Sequence, residues 1–196
     1  MSRIDDIVEH VRQTLAAGWP LRDLDFDRLY PESVRSLAAD WTPVEACRVV
    51  SRFLAGGCDE PLVLDVGSGS GKFCLIGSLM TGASFRGVEQ HSFLVNAAVE
   101  VARRLGANET SFVVGDAFDL NWRQFTALYL FEPLKESVDR QRALESAANQ
   151  LENMPLQTRV ATCGDLGMKF PKGYEPIGEE TIGQSSLRFW LRVATW

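Results

Sequence analysis

This sequence has few cysteines and no long apolar run, and each of these absences excludes a class of protein. Its cysteines are scattered, without the paired spacing of a metal site or a disulfide framework: Cys47, Cys58, Cys74 and Cys163. The segment from Met1 to Arg12 is charged and lacks the apolar core of a signal peptide, and no run has the length of a membrane span. We therefore expect a cytoplasmic protein that binds no metal and makes no membrane contact.

Positive charge is also scarce. The 20 Lys and Arg residues are outnumbered by 26 Asp and Glu residues, so the formal net charge is −6 at pH 7. Extended nucleic-acid binding through a broad basic face is therefore not expected. The 196 residues, 45% of them hydrophobic, are enough to bury the core of one globular domain. We expect a single domain over residues 1–196, with a helical extension over 1–57 and an α/β core over 58–196.

The most informative stretch is a short apolar run that leads into glycines at alternate positions. The run from Leu62 to Val66, interrupted by one acid, predicts a buried parallel strand because its apolar residues do not alternate with polar ones. The glycines that follow allow the backbone to turn sharply and let a ligand lie against it. A helix is predicted from about Lys72 to Leu79, and its unpaired N–H groups point into the same space. The pattern is typical of a nucleotide site.

Three kinds of nucleotide site can be compared by spacing and charge. A P-loop requires glycine where Val66 stands and Ser or Thr where Phe73 stands. A dinucleotide site requires its third glycine at the position of Lys72, and its pyrophosphate would be repelled by Asp65. S-adenosylmethionine (SAM) instead carries an ammonium and a sulfonium, which suit an acid. Both the glycine spacing and the charge favour SAM over the other two ligands.

The motif resembles the first motif of the class I SAM-dependent methyltransferases, which is an acid, any residue, and then Gly-x-Gly-x-Gly. The matching residues are Asp65, Gly67, Gly69 and Gly71. The resemblance implies a Rossmann-like α/β fold: a seven-stranded, mostly parallel sheet with an antiparallel last strand and helices on both faces. It also implies SAM as cofactor and S-adenosylhomocysteine (SAH) as product. Asp65 and the glycine loop, including Ser68, would then hold the methionine end of the cofactor.

Acids follow the next two predicted strands in chain order. Glu89 ends the second strand roughly twenty residues beyond the glycines, where a carboxylate can accept hydrogen bonds from ribose hydroxyls. Dinucleotide folds use the same device, so Glu89 alone supports an adenosine ligand without choosing between cofactors. The resemblance implies that Glu89 and the neighbouring Gln90 bind the ribose side of SAM. It further implies that Asp116 accepts from the adenine amino group while the Ala117 N–H reaches a ring nitrogen.

The fourth predicted strand leads into Glu132-Pro133-Leu134, where the sequence departs from the family pattern. Many of these methyltransferases have Asn or Asp, then Pro, then an aromatic residue at the sulfonium end of the pocket. Glu132 could bind a cationic amine, take its proton or hydrogen-bond a hydroxyl, so we predict that it is the catalytic residue. The predicted reaction is methyl transfer to an unidentified acceptor, with a small molecule or a protein side chain favoured.

Other functions stay open at this point. Because the sequence departs from the family pattern at Glu132 and Leu134, a second hypothesis is a SAM-binding module without transferase activity, such as one subunit of a complex. An NAD-linked oxidoreductase is a third hypothesis.

In the segment before the first strand, Thr42-Pro43 predicts the start of a helix, with Thr42 as its N-cap. Helices in that position often cover the cofactor in the families that this chain resembles, which makes Tyr30 and Thr42 candidates for cofactor contact.

Overall fold

The computed structural model describes residues 3–38, 41–131 and 140–194. The helices in these ranges are α1 (Arg3–Ala16), α2 (Asp23–Asp27), α3 (Glu32–Arg35), α4 (Val44–Ala55), α5 (Lys72–Thr81), α6 (Ser92–Leu105) and α7 (Arg140–Glu152). The strands are β1 (Leu62–Val66), β2 (Ser84–Glu89), β3 (Thr110–Val114), β4 (Ala127–Phe131), β5 (Arg159–Cys163), β6 (Tyr174–Ile182) and β7 (Ser185–Arg192). Short 3-10 turns at Ala117–Asp119 and Trp122–Gln124 lie between β3 and β4.

The strands form one seven-stranded sheet in the order β3-β2-β1-β4-β5-β7-β6. The strands from β1 to β5 pair with their neighbours in parallel, whereas β7 is antiparallel to both β5 and β6. The predicted Rossmann-like class I fold with an antiparallel last strand is confirmed. The strand order reverses between β1 and β4, and the crevice outside the carboxyl ends of such a pair is where open α/β sheets bind ligands.

Alternate residues of the central strands face opposite layers of helices, as predicted. Val63 of β1 and Tyr129 of β4 pack against the layer formed by α1, α4, α5 and α6. Leu64 and Leu128 pack against α7 and the 3-10 turns on the other face. Since side chains alternate along a strand, Asp65 projects to the same face as Val63, into surroundings that are mostly apolar.

The start of α4 differs from the prediction. Pro43, rather than Thr42, occupies the cap position, with an extended ψ of 148°. The N–H of Val44 donates to Asp23 Oδ1 at 2.9 Å, and the Thr42 hydroxyl is hydrogen-bonded to the Tyr129 hydroxyl at 2.9 Å. The predicted Thr42 cap is wrong because a carboxylate from α2, distant in sequence, reaches this helix end, where negative charge is favourable.

We expect Asp23→Ala to lower the free energy of unfolding by about 1–3 kcal/mol. The substitution removes the acceptor for the first N–H of α4, and the same Oδ1 also accepts a hydrogen bond from Lys72 Nζ at 2.6 Å. Asp25→Ala is the matched control, since Asp25 lies in the same helix but pairs with the exposed Arg22 side chain, and such pairs contribute little. Urea unfolding measures both variants, and equal losses would contradict the proposed role of Asp23.

Candidate cofactor site

The glycine loop between β1 and α5 has a backbone that only glycine adopts easily. Gly67, Gly69 and Gly71 have φ values of 76°, 52° and 77°, all in the left-handed region. A Cβ on Gly71 would lie 2.5 Å from the Phe112 ring and 2.8 Å from the Ala98 methyl. The alternate glycines are therefore required by the path of the backbone, and Gly71 also by close packing against α6 and β3.

The loop crosses the end of β2 and is hydrogen-bonded to it. The N–H groups of Gly67 and Ser68 both donate to the Val88 carbonyl, at 3.0 and 2.9 Å. The Gly69 N–H donates to Glu89 Oε2 at 3.1 Å. Gly87 permits this crossing, because a Cβ there would lie 2.5 Å from Ser68 Oγ. The loop thus brings Glu89 and the motif that begins at Asp65 into one site.

A pocket with about 360 Å³ of empty volume, open solvent at its mouth included, lies beside the loop. It is lined by Trp41, Thr42, Asp65, Gly67, Ser68, Gly69, Ser70, Lys72, Phe73, Tyr129 and Phe131. Four of the predicted cofactor residues are in this lining. The others lie at the ends of neighbouring strands or deeper in the loop: Gly71, Glu89, Gln90, Asp116 and Ala117.

Asp65 is a buried acid in the wall of this pocket. Its side chain is only 3% exposed, and in the sheet it stands between Gly87 of β2 and Tyr129 of β4. The pKa of Asp65 is raised to about 7. Burial is the largest cause, the charge of Glu89 adds to it, and a hydrogen bond from Cys74 Sγ at 3.4 Å acts in the opposite direction. A carboxylate held in this way favours a ligand that brings its own positive charge.

Lys72 is a site residue that the sequence alone did not predict. It is 4% exposed, and its Nζ lies 2.6 Å from Asp23 and 2.8 Å from Asp27. Burial by itself lowers the pKa of Lys72, but the hydrogen bonds to these aspartates outweigh burial and hold it above its ordinary value. A lysine in the first turn of a helix opposes the helix dipole. That mismatch is the signal in the sequence, and it indicates that carboxylates from elsewhere in the chain must compensate.

Two candidates from the segment before β1 contact the site in different ways. Thr42 lines the pocket itself. Tyr30 lies behind the loop, where its buried hydroxyl donates to the Ser70 carbonyl at 3.0 Å. Ser70 is 2% exposed and lines the pocket, and its hydroxyl has no hydrogen-bond partner within the described residues. A buried hydroxyl without a partner at a pocket wall is a group that a ligand can satisfy.

Both carboxylate oxygens of Glu89 accept hydrogen bonds. Oε2 accepts from the Gly69 N–H, and Oε1 accepts from the His91 N–H at 2.9 Å and lies 2.7 Å from His91 Nδ1. The Glu89 side chain is 11% exposed, whereas that of His91 is 63% exposed. Gln90 lies between them on the exposed rim. Glu89 is therefore held toward the glycine loop by contacts from two directions.

Asp116 and Ala117 lie just beyond the carboxyl end of β3. Asp116 is exposed, and its Oδ1 accepts from the Phe118 N–H at 2.9 Å at the start of a 3-10 turn. Ala117 is buried, and its carbonyl accepts from Trp122 Nε1 at 2.8 Å. Because β3, β2 and β1 are parallel neighbours, these residues share the sheet edge with Glu89 and the glycine loop.

Glu132 lies outside the described residues, as do Pro133 and Leu134, so its predicted catalytic role stays a prediction. The last described residue of β4, Phe131, lines the pocket. Among the described residues, no group of three or more His, Cys, Asp or Glu side chains is placed to hold a metal ion. None of the helices in the described ranges is long and apolar enough to cross a membrane.

One comparison with known proteins shows the family of this chain. The family model described as a methyltransferase domain matches residues 60–158, which is half of the chain. No curated protein matches the sequence. An RNA methyltransferase from Salinibacter ruber in complex with SAH has a TM-score of 0.59 at 19% identity, over 78% of this chain and 92% of that one.

Two other solved structures have a similar fold. TrmN from Thermus thermophilus has a TM-score of 0.61 at 18% identity, over 78% of this chain and 49% of that one. A mutant of MtNAS in complex with SAM has a TM-score of 0.59 at 12% identity, over 96% of this chain and 73% of that one. At such identities the likeness shows the fold, while the matched domain shows the family. The chain therefore belongs to the class I methyltransferases, whose cofactor is S-adenosylmethionine.

Proposed function

We propose that this protein transfers a methyl group from SAM to a small molecule or to a protein side chain. The observation that supports the proposal best is the combination of a buried acid and a left-handed glycine loop in the wall of one pocket. Asp65 is 3% exposed, and Gly67, Ser68 and Gly69 line the pocket beside it. A cationic ligand would compensate the buried charge of Asp65, and the bare backbone of the loop would let that ligand approach closely.

The donors and acceptors of the pocket fit the amino-acid end of SAM. Asp65 would accept from the ammonium group. The Ser70 hydroxyl, which has no partner among the described residues, could donate to a ligand oxygen. Gly69 leaves space beside the loop, since it lines the pocket and a Cβ there would have no atom within 4 Å. Positive charge, hydrogen-bond capacity and shape of the ligand are thus each matched by a feature of this chain.

The neighbouring strand ends would hold the nucleoside. Glu89, fixed beside the loop by the Gly69 N–H, would accept from ribose hydroxyls, with Gln90 next to it on the rim. Asp116 would accept from the adenine amino group, and the Ala117 N–H would donate to the ring. These assignments come from the resemblance to the class I methyltransferases. The order of the parallel strands β1, β2 and β3 supports them, because the carboxyl ends of these strands meet at one edge.

SAM supplies a methyl group that is already activated by a positively charged sulfur. The tasks left to the protein are alignment of the two reactants and exclusion of water. Phe73, Tyr129 and Phe131 form an aromatic wall of the pocket, with the Phe73 and Tyr129 rings 4.2 Å apart. Such a wall excludes water and orients a bound molecule by shape.

The acceptor preference follows from the net charge and from the apolar surface in the wall of the pocket. The net charge of −6 opposes a long polyanion. Trp41 and Phe131, both partly exposed, present apolar surface in the wall of the pocket. These features favour a compact acceptor over structured RNA. Glu132, which directly follows Phe131 in the chain, stays the predicted acceptor residue.

Two measurements test the proposal. Titration calorimetry should detect SAM binding and no NAD binding, and transfer of a labelled methyl group from SAM into a cell extract should label the small-molecule or protein fraction. SAM binding without any labelled product would favour a binding module without transferase activity. NAD binding without SAM binding would contradict the proposal, and label in the RNA fraction would contradict the preferred acceptor class.

A further inference from the structure

The hydrogen bonds of Glu89 leave its two oxygens unequally available. A carboxylate has about four lone-pair sites, two on each oxygen. Oε1 receives two donors from one residue, the backbone N–H of His91 at 2.9 Å and its ring Nδ1 at 2.7 Å. Oε2 receives the Gly69 N–H at 3.1 Å. The acceptor capacity of Oε1 is therefore used, and that of Oε2 is half used.

The direction of the ring contact follows from its partners. A carboxylate oxygen can only accept, so the contact at 2.7 Å requires the hydrogen of the imidazole to be on Nδ1. His91 thus blocks the second site on Oε1. Oε2 accepts from the Gly69 N–H, so its remaining site is on the oxygen that faces the glycine loop.

We infer that Glu89 recognises a single ribose hydroxyl through Oε2, and that His91 is the positioning residue that prevents Oε1 from accepting the second one. The inference rests on the proposed function, since it assumes that an adenosine group binds at Glu89. It concerns specificity within that site. A carboxylate without the ring contact could accept from both hydroxyls of the ribose, whereas this one accepts from one.

His91 has little structural role that could confuse a test of this inference. Its side chain is 63% exposed, and its ring meets Phe93, itself 51% exposed, at 5.9 Å between centroids. Removal of the ring leaves the His91 N–H in place, so Glu89 keeps one donor on each oxygen. We therefore expect the ring to be removable without loss of the fold.

The test compares SAH with its 2′-deoxy and 3′-deoxy analogues by calorimetry. In the wild-type protein, one analogue should bind about tenfold or more weakly than SAH, because it lacks the hydroxyl that donates to a charged acceptor. The other should bind within about threefold of SAH. In His91→Ala, both analogues should be weakened, because Oε1 then accepts the second hydroxyl.

His91→Asn is the conservative variant, since its amide N–H can take the place of the Nδ1 donor. It should restore the unequal pattern of the wild-type protein. Equal losses for both analogues in the wild type, or the same unequal pattern in His91→Ala, would overturn the inference. Failure of SAH itself to bind the wild-type protein would instead contradict the proposed function, so the two failures are distinguishable.

Discussion

Asp65→Asn is expected to lower the affinity for SAM about a hundredfold, while making the ligand-free protein more stable above pH 7. The two effects have one cause, which is a carboxylate that is 3% exposed in a mostly apolar layer. A bound cation compensates its charge, and without that cation the charge is costly. The asparagine side chain has nearly the same shape but carries no charge, so it removes both the attraction and the cost.

The sign of the stability effect follows from the pKa of Asp65. Burial raises it from the ordinary 3.8 to about 7, so the folded protein holds the proton more tightly than the unfolded chain does. The free energy of unfolding should therefore fall as the pH rises from about 4 to about 7, and stay low above that range. The loss corresponds to about 4 kcal/mol in the ligand-free protein.

Urea unfolding at about pH 5 and about pH 8 measures this effect. The advantage of Asp65→Asn over wild type should be larger at the higher pH, and the affinity of the wild type for SAM should rise with pH as Asp65 ionises. Asp59→Asn, a change to an exposed acid in the loop before β1, should alter neither quantity. The assignment of Asp65 would be wrong if both variants had the same pH dependence as the wild type.

Gly71→Ala is expected to lower the free energy of unfolding by about 2–5 kcal/mol. The new methyl would stand 2.5 Å from the Phe112 ring and 2.8 Å from Ala98, on a backbone with φ of 77°. Gly82→Ala provides the matched control, because Gly82 also follows the left-handed path, with φ of 71°, but has no atom within 4 Å of the added Cβ.

Gly82→Ala should therefore cost about 1–2 kcal/mol, from backbone strain alone. The difference between the two variants measures the packing of the glycine loop against β3 and α6. Thermal or urea unfolding gives both values. In a Phe112→Ala background, Gly71→Ala should cost less than it does in the wild-type protein, because the ring that the methyl meets has been removed. Equal losses for the two glycine variants would show that Gly71 is required only for its backbone conformation.

Much of the fold was predictable because its determinants are local. The apolar run at Leu62–Val66 and the glycines after it predict a buried strand and a sharp turn, and the structure has β1 and the loop in those places. The acids Glu89 and Asp116 were placed at strand ends, and both lie there. The antiparallel last strand came from the resemblance to a known family and is confirmed by the pairing of β5 with β7.

The environment of the site was not predictable, because it depends on residues far apart in the chain. The Thr42 cap is the clearest failure. The Thr-Pro pattern is typical of a helix start, but Asp23 accepts the hydrogen bond from the first N–H of the helix. The Thr42 hydroxyl is instead hydrogen-bonded to that of Tyr129, 87 positions away. The position of Lys72 indicates that carboxylates must compensate it, but no local pattern identifies them as Asp23 and Asp27, 49 and 45 positions earlier.

The sequence by itself determined the strand, the left-handed turn and the acid that suits a cation, because backbone conformation and charge belong to the residues themselves. The tertiary structure alone decided that Asp65 is buried, that Lys72 is neutralised by α2, and that Glu89 Oε2 accepts from the Gly69 N–H of the glycine loop. Solvent exclusion and hydrogen-bond partners are properties of neighbours. They arise only when the sheet brings distant segments together.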